Sequence, residues 1–376
     1  MVKTVIVAGA RPNFMKVAPL MTAMQRRPTQ FQPVLVHTGQ HYDSTMSDMF
    51  FRDLAIPDAD IYLGVGSGSH AAQTAAVMQA FEPILEREKP DWVVVVGDVN
   101  STLACALVAV KLGVKVAHVE AGLRSRDRSM PEEINRLLTD QLSDLLLTPS
   151  KDADANLLAE GISGNRIRMV GNIMIDTLLS NLDRVKASTV RTRLGIENIQ
   201  YAVLTLHRPS NVDESASFAG IIEALAEIGK RLPVIFPAHP RTTKMIAELG
   251  LGSAIERARN VRLIEPLGYL DFLALLRDAR LALTDSGGIQ EETTVLGVPC
   301  ITLRQNTERP ITVEMGTNTI AGTNPEKIIE AALRVLDHQA TPAAPSIPLW
   351  DGHTADRVLD ALLEATSESQ SATTTA

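Results

Sequence analysis

Cysteines, long apolar runs and a secretion signal are scarce or missing in this chain of 376 residues. The two cysteines, Cys105 and Cys300, each stand in an apolar stretch, which is typical of reduced, buried side chains and not of a disulfide framework. No apolar run is long enough to cross a bilayer, and no signal-peptide core follows the first residues. We therefore expect a cytoplasmic protein that does not associate with a membrane.

Two signatures of cofactor binding are also missing. The spacing of cysteine and histidine matches no metal-binding motif, so we expect no metal site. The first predicted strand–helix turn, 9–13, reads GARPN and lacks the GxGxxG fingerprint, which argues against an NAD site. The formal net charge of −8 argues against bulk electrostatic attraction to nucleic acid. We therefore predict no cofactor and no nucleic-acid partner.

What the chain does contain is a repeated alternation of short apolar runs and helical-period segments. This alternation predicts βαβ units, parallel sheets and an α/β fold. The predicted strands are Thr4–Ala8, Pro33–His37, Trp92–Val96, Val114–Val119, Leu145–Thr148, Arg168–Val170, Tyr201–Leu206, Pro233–Pro237, Val261–Ile264, Leu281–Thr284 and Cys300–Leu303.

The pattern restarts after a polar stretch, which predicts two Rossmann-like domains. We assign 1–171 plus 353–366 to the first domain and 172–352 to the second. The Ser/Thr/Ala-rich tail, 367–376, has nothing to bury and is predicted to be disordered.

Polar residues follow the predicted strands at their carboxyl ends, where open α/β sheets bind ligands. Arg11 and Lys16 accompany the first helix N-terminus, which favours anion binding, although solvated cations in a plain turn are the alternative. At Ser286, Gly287 and Gly288 the backbone can approach a phosphate closely, and the alternative is a helix capped by Ser286.

Three more residues near that turn are candidates for nucleotide contacts. A carboxylate one turn into the helix, such as Glu292, can accept two hydrogen bonds from a ribose diol. Arg309 is either a second diphosphate contact or a surface cation. Phe272 could stack on a base, but a lone aromatic side chain at helical spacing is more often part of the core.

Carboxylates and histidines at strand ends are candidate acids and bases. Asp98 and Glu120 end adjacent strands, where partial burial would raise their pKa values; an Asx cap is the alternative for Asp98. Glu132 lies in the first turn of a predicted helix and could pair with Arg136 four residues later. His207, which ends the first strand of the second half, suits a phosphate or a proton.

These motifs together resemble the non-hydrolysing UDP-N-acetylglucosamine 2-epimerase family over about residues 3–360. The matching strings are GARPNFMK, TGQHYD, VVGDVNST, HVEAGLRS, PEEINR, LHRPSN, FPAHP, TDSGGIQEE, NTERP and PLWDG. The resemblance implies a glycosyltransferase-B-type architecture in which two Rossmann-like domains face each other across a cleft. It also implies that the last helix crosses back to the first domain, and that the protein is a homodimer.

The resemblance further implies the reaction and the residues that perform it. UDP is eliminated across C1–C2 of UDP-GlcNAc to give a 2-acetamidoglucal, and it is then added back to give UDP-ManNAc. By motif match the catalytic residues are Asp98, Glu120, Glu132 and His207. Substrate contacts are assigned to Arg11, Lys16, Leu267, Phe272, Ser286, Gly287, Gly288, Glu292 and Arg309.

The chain departs from the family at the site for an activating second UDP-GlcNAc. Gln40, Arg208 and His239 suit that site, but Asp43 replaces a second polar contact and the stretch 64–70 has no arginine. The same variants resemble relatives that act on modified sugars such as UDP-diacetamido-glucuronic acids. A 2-epimerase for such a sugar, or a glycosyltransferase of the same fold, is therefore the alternative function.

Overall fold

The computed structural model describes residues 1–9, 11–39, 53–54, 57–258, 260–338 and 344–374. At residues 11, 12, 240 and 369–374 it describes the backbone only. The chain divides into two units: unit 1 comprises Met1–Ser180 with Pro348–Ala376, and unit 2 comprises Asn181–Ile347.

Unit 1 alternates strands and helices along almost its whole length. Its strands are β1 (Val2–Ala8), β2 (Phe31–His37), β3 (Ile61–Tyr62), β4 (Trp92–Val96), β5 (Lys115–Val119), β6 (Leu145–Thr148) and β7 (Ile167–Met169). Its helices are α1 (Arg11–Gln25), α2 (His70–Glu88), α3 (Asn100–Lys111), α4 (Pro131–Leu142), α5 (Lys151–Ala159), α6 (Ile173–Val185), which runs on into unit 2, and the C-terminal helix, Thr354–Thr374.

The seven strands of unit 1 are all parallel, in the order β3-β2-β1-β4-β5-β6-β7. Every residue of β4 is buried, as expected for a central parallel strand with helices on both faces. The run of four valines in β4 supplies branched side chains that suit such a strand. The strand order reverses between β1 and β4, and in open α/β sheets this reversal marks the ligand-binding crevice.

Unit 2 repeats this plan with shorter elements. Its strands are β8 (Ala202–Thr205), β9 (Val234–Pro237), β10 (Val261–Ile264), β11 (Leu281–Thr284), β12 (Cys300–Thr302) and β13 (Asn318–Ile320). Its helices are α7 (Val190–Leu194), α8 (Pro209–Val212), α9 (Ser215–Ile228), α10 (Pro240–Glu248), α11 (Gly252–Arg257), α12 (Tyr269–Arg277), α13 (Gly287–Leu296), α14 (Ile311–Glu314) and α15 (Pro325–Asp337).

The six strands of unit 2 are also parallel, in the order β10-β9-β8-β11-β12-β13, and this order reverses between β8 and β11. Phe218, Ile221 and Leu225 on α9 pack against the strands in the buried core of this unit. The α/β class and the two parallel sheets predicted from the sequence are therefore confirmed.

The C-terminal helix, α16 (Thr354–Thr374), packs against α1 within unit 1. Arg27, two residues after the end of α1, contacts both Asp356 and Asp360 of α16. Asp176 of α6 accepts hydrogen bonds from the backbone N–H groups of Thr354 and Ala355, and so caps the first turn of α16. Arg27 and Asp176 thus both hold α16 against the rest of unit 1.

Most element boundaries agree with the sequence-based prediction to within two residues. All eleven predicted strands occur, whereas β3 and β13 were not predicted because two or three residues carry too little pattern. The prediction of disorder from residue 367 is wrong for the backbone up to Thr374, because α16 continues through this stretch. Extending a docked helix needs no new nucleation. The sequence pattern also predicts a helix over Ser44–Leu54, and this segment lies almost entirely outside the described residues.

The apolar surface of α3 is explained by packing inside unit 1. Most of its apolar side chains, among them Ala104, Cys105 and Val108, are buried within the unit. Val110 is more than a third exposed and is the exception. The burial of α3 within unit 1 leaves little of its apolar surface for contact with a partner subunit.

Candidate functional site

The two strand-order reversals bring candidate residues together within each unit. In unit 1 the ends of β1 and β4 lead into the turns that carry Asn13 and Asp98. In unit 2 the ends of β8 and β11 lead into His207 and Asp285. Ligands of doubly wound sheets bind at the point where the strand order reverses, so each unit has one candidate binding edge.

Asp98 is held by groups from α4. Its carboxylate accepts a charge-assisted hydrogen bond from the Arg136 guanidinium, and its backbone carbonyl accepts one from the Asn135 side chain at 2.9 Å. Arg136 is 2% exposed and is one of the largest fully buried side chains. Asp98 itself is only partly buried, so its carboxylate has a fixed direction and access to solvent.

The predicted partner of Arg136 was wrong. Arg136 pairs with Glu133 at 2.7 Å and with Asp98, not with Glu132. Buried Glu133 also accepts hydrogen bonds from the backbone N–H groups of Ser125 and Arg126, which fixes the loop before α4. Burial alone would raise the pKa of Glu133, but these hydrogen bonds and Arg136 lower it below its usual value.

Glu132 points elsewhere than its neighbour, as expected for consecutive helical residues. It is partly buried, and within the described part of the chain its carboxylate forms neither a hydrogen bond nor an ion pair. A carboxylate without a protein partner at this edge is suited to a reacting group.

Glu120 follows β5 with a left-handed backbone, φ 73°, which is unusual for a residue other than glycine. Its carboxylate lies 2.6 Å from the Lys16 ammonium, and both side chains are less than 8% exposed. Lys16 also lies close to Gly97, the residue that follows β4: a Cβ added to Gly97 would be 2.8 Å from Lys16 Nζ. Lys16, predicted as a phosphate ligand, therefore contacts a candidate acid/base group in this structure.

A buried histidine–aspartate pair beneath these loops was not predicted. His118 on β5 and Asp140 on α4 are both fully buried, and His118 Nδ1 lies 2.6 Å from Asp140 Oδ1. Arg124 contacts the other oxygen of Asp140 at 2.7 Å. The sequence signal was a histidine inside the apolar run KVAHV, where a polar side chain needs a buried partner.

In unit 2, His207 and Asp285 connect the ends of β8 and β11. His207 Nδ1 lies 2.8 Å from Asp285 Oδ1, and the backbone N–H groups of His207 and Arg208 donate to the same carboxylate. Burial opposes the charge of Asp285, but His207 and the two N–H groups hold its pKa below the usual value. The His207 side chain is 54% exposed, so its other nitrogen can reach a ligand.

The turn at Ser286 presents the N-terminus of α13. The Ser286 side chain makes no capping hydrogen bond, so the capping alternative is not observed. Gly287 lies against charged side chains: an added Cβ would be 2.8 Å from Glu308 Oε1 and 3.0 Å from the Arg309 guanidinium. Gly288 follows in the first turn of the helix.

Arg309 belongs to a buried charge cluster, which was not foreseen. It contacts Glu291 at 2.9 Å and Glu308 at 3.0 Å. Glu308 also contacts Arg304 at 2.8 Å and Arg208 at 3.4 Å. The interpretation of Arg309 as a surface cation was therefore wrong, since the residue is 5% exposed.

Glu292 is buried in the second turn of α13 and accepts a hydrogen bond from the Tyr269 hydroxyl at 3.1 Å. Burial raises the pKa of Glu292 to about 8; the Tyr269 hydrogen bond lowers it in part and Glu291 raises it. Phe272 and Leu267 lie at the start of α12 and before it, and both are partly buried. Phe272 is thus not a fully buried core residue.

The remaining predicted residues are only partly described. The Arg11 side chain and all of Gln40 lie outside the described residues, as do His41 and Asp43. Arg208 donates from its Nε to the Asp285 carbonyl oxygen at 3.2 Å, and exposed His239 accepts from the Arg241 backbone N–H and caps α10. Arg208 and His239, two of the three residues predicted for an effector site, therefore both have contacts within unit 2.

Neither a metal-binding cluster nor a membrane-spanning helix is present among the described residues. No three His, Cys, Asp or Glu side chains there are grouped as metal ligands. None of the helices in this part of the chain combines the length and apolar character that a bilayer crossing needs.

Comparison with known proteins gives a consistent picture. Residues 22–363 match the family model described as UDP-N-acetylglucosamine 2-epimerase. A UDP-N-acetylglucosamine 2-epimerase of Methanocaldococcus jannaschii is 46% identical over 341 residues, which is 89% of this chain and 92% of the relative. A UDP-2,3-diacetamido-2,3-dideoxy-D-glucuronate 2-epimerase of Pseudomonas aeruginosa is 41% identical over 88% of this chain and 91% of the relative.

Among solved structures, the fold is similar to that of the M. jannaschii UDP-GlcNAc 2-epimerase crystallised in complex with UDP-GlcNAc and UDP. The TM-score is 0.89 at 44% identity, covering 96% of this chain and 99% of that one.

The raised pKa of Glu292 makes the stability of the folded protein depend on pH. The stabilising contribution of Glu292 is complete below 4.5, the pKa in the unfolded chain, and it is lost as the pH rises through about 8, the pKa in the folded protein. Wild type should therefore lose up to about 1.4 kcal/mol per pH unit relative to Glu292→Gln over this range. Thermal unfolding of both proteins at about pH 5.5, 7 and 8.5 measures this difference in stability.

The control for this experiment is Glu326→Gln, at an exposed position in the first turn of α15. Its melting temperature relative to wild type should be constant over the same pH range. A constant difference for Glu292→Gln as well would contradict a raised pKa at Glu292.

Proposed function

Because the chain belongs to the UDP-N-acetylglucosamine 2-epimerase family, we propose that it interconverts UDP-GlcNAc and UDP-ManNAc. The observation that carries this function is the pair of independently fixed carboxylates, Asp98 and Glu120, at adjacent strand ends of a chain that matches the family over most of its length.

The chemistry requires two kinds of group. The C2 hydrogen of the sugar is not acidic, so inversion proceeds through loss of UDP. A base takes the C2 proton, the C–H electron pair forms a C1=C2 double bond, and the C1–O bond breaks with its electrons on the diphosphate. Re-addition reverses these steps with the proton delivered to the opposite face of C2. The enzyme therefore needs carboxylates beside the sugar and cations beside the diphosphate.

Unit 1 supplies the carboxylates in this proposal. Asp98, Glu120 and Glu132 are the acid/base set. Arg136 keeps Asp98 directed, and Lys16 does the same for Glu120. Glu132 has no such partner in the described chain, which suits a group that exchanges its proton during turnover. Arg11 completes the charged set at the N-terminus of α1, where Lys16 would be shared between Glu120 and a phosphate.

Unit 2 supplies the nucleotide contacts. The backbone at Ser286, Gly287 and Gly288 offers N–H groups at the N-terminus of α13, and Arg309 adds a cation beside them. His207, oriented by Asp285, assists at the leaving oxygen of the diphosphate. Glu292 accepts from the ribose hydroxyls, and Phe272 with the Leu267 backbone contacts uracil.

The proposal also covers assembly and regulation. The active protein is a homodimer in the cytoplasm. The side chains of Gln40, Arg208 and His239 contact any activating UDP-GlcNAc. Arg208 would then couple such an effector to the substrate site, since it contacts both Asp285 and Glu308.

Proton NMR in heavy water tests the reaction directly. With UDP-GlcNAc, the manno epimer should appear and both epimers should lose their C2 proton signal to deuterium. The panel includes UDP-2,3-diacetamido-2,3-dideoxy-D-glucuronate, because a relative at 41% identity carries that name. Exchange with that sugar alone would replace the proposed substrate, and exchange with neither sugar would refute the proposal.

Asp98→Asn should reduce kcat by about 10²–10⁴-fold, because the amide cannot take or return a proton. The thermal shift on adding UDP should be unchanged, since Asp98 is not one of the proposed nucleotide contacts. The matched control is Asp91→Asn, at the opposite end of the same strand, β4, where the carboxylate accepts from the Lys3 backbone. Loss of activity in the control as well would mean that the Asp98 effect is structural.

Gly287→Ala should weaken UDP binding by about tenfold, roughly 1.4 kcal/mol. The new Cβ would displace Glu308 and Arg309 from the N-terminus of α13. Gly252→Ala is the control, because Gly252 is also the first residue of a helix and a Cβ there meets nothing within 4 Å. Titration calorimetry with UDP measures both; equal affinities for the two variants would exclude Gly287 from the phosphate site.

A further inference from the structure

We propose that His118 and Asp140 are positioning residues that fix the loops carrying Asp98 and Glu120 relative to each other. The inference rests on the proposed epimerase reaction, in which both carboxylates act on one sugar. Neither His118 nor Asp140 is exposed, so neither can touch the substrate. Their effect must therefore act through the loops that they bind.

His118 connects α4 to the loop after β4. Its Nδ1 lies 2.6 Å from Asp140 Oδ1, and its Nε2 lies 2.8 Å from the Gly97 carbonyl oxygen. Each ring nitrogen of His118 therefore has a buried partner, and the contact from Nε2 holds the residue just before Asp98.

Asp140 connects the same ring to the loop after β5. Its second oxygen accepts from the Gly122 backbone N–H at 3.1 Å and from Arg124 at 2.7 Å. Arg124 in turn contacts Glu160 at 2.7 Å. Burial opposes the charge of Asp140, but His118 and Arg124 keep its pKa below the usual value.

The two loops have little freedom beyond these contacts. Gly97 has φ 67° and donates its N–H to the Val119 carbonyl at 3.1 Å. Gly122 has φ 82°, and a Cβ there would lie 2.6 Å from the Ala153 carbonyl oxygen. Glu120, between them in sequence, keeps an unfavourable left-handed backbone. Such strain persists only where the surroundings over-determine the conformation, and the His118–Asp140 pair does this for both loops.

The benefit for the reaction lies in the spacing of the carboxylates. Proton transfer needs a donor–acceptor distance of about 2.6–3.2 Å, and a displacement of about 1 Å costs on the order of 10²-fold in rate. Asp98 and Glu120 serve one sugar from two loops, so an element that binds both loops sets their separation.

The two ends of the His118 bridge can be removed one at a time. In His118→Asn the amide nitrogen replaces Nδ1 and can still donate to Asp140, but the contact with Gly97 is lost. In His118→Gln the amide nitrogen replaces Nε2 and can still donate to Gly97, but the contact with Asp140 is lost. Thr139→Val is the control, because Thr139 is a buried neighbour whose hydroxyl has no hydrogen-bond partner within the described chain.

We expect kcat to fall about 10²-fold in His118→Asn, with KM and the UDP-induced thermal shift within about twofold of wild type. His118→Gln should retain more of the wild-type kcat, and Thr139→Val should retain nearly all of it. An unchanged kcat in His118→Asn would overturn the inference. So would parallel losses of kcat and UDP response in both His118 variants, because these indicate general unfolding.

Amide hydrogen exchange reports on the two loops and does not depend on activity. Exchange at the Gly97 N–H should be faster in His118→Asn than in wild type, and exchange at the Gly122 N–H should be faster in His118→Gln, because each variant loses the contact on that side. Thr139→Val should leave both unchanged, and wild-type exchange at both amides in both His118 variants would overturn the inference. Absence of C2 exchange in wild type would instead refute the proposed function, so the two failures are distinguishable.

Discussion

Compensation of charge at the carboxyl ends of parallel strands is the constraint on which this structure depends. The ends of β4 and β5 carry acidic residues at the edge of a sheet whose strands are buried on both faces. An isolated carboxylate there would be costly, and each one has a cationic or N–H partner from another element. Lys16 meets Glu120, Arg136 meets Asp98 and Glu133, and His118 meets Asp140. The partners cancel charge and also fix direction, which is what acid/base chemistry at a sugar carbon requires.

Unit 2 applies the same rule to a different task. Asp285 is buried at the end of β11, where His207 and two backbone N–H groups balance its charge. The cluster of Arg304, Arg309, Glu291 and Glu308 surrounds the first turn of α13, so the cations there are already partly neutralised before any ligand arrives. A diphosphate would therefore compete with protein carboxylates for these cations, and this competition favours its release.

Sequence reasoning recovered the parts of the site that lie at strand ends, and it missed the parts inside elements. Asp98, Glu120, His207 and Ser286 stand directly after apolar runs, where a polar residue is conspicuous. His118 and Asp140 lie within a strand and a helix, and nothing local shows that they meet across 22 residues of chain. Arg136 was assigned to Glu132 from helical spacing, because four residues is the usual distance for a pair on an exposed helix face. Its real partner, Glu133, is buried with it, and burial cannot be read from spacing.

Local patterns were enough to predict the fold class, the positions of eleven strands and the identity of the strand-end residues, because the period of apolar residues and the chemistry of turns are local properties. Motif order was sufficient to indicate the family. The tertiary structure alone decided which charges pair, that Arg309 is buried, that Lys16 contacts Glu120, and that α16 continues through the polar tail. These are consequences of which elements lie side by side, and electrostatic partners separated by tens or hundreds of residues become neighbours only when the sheet order is set.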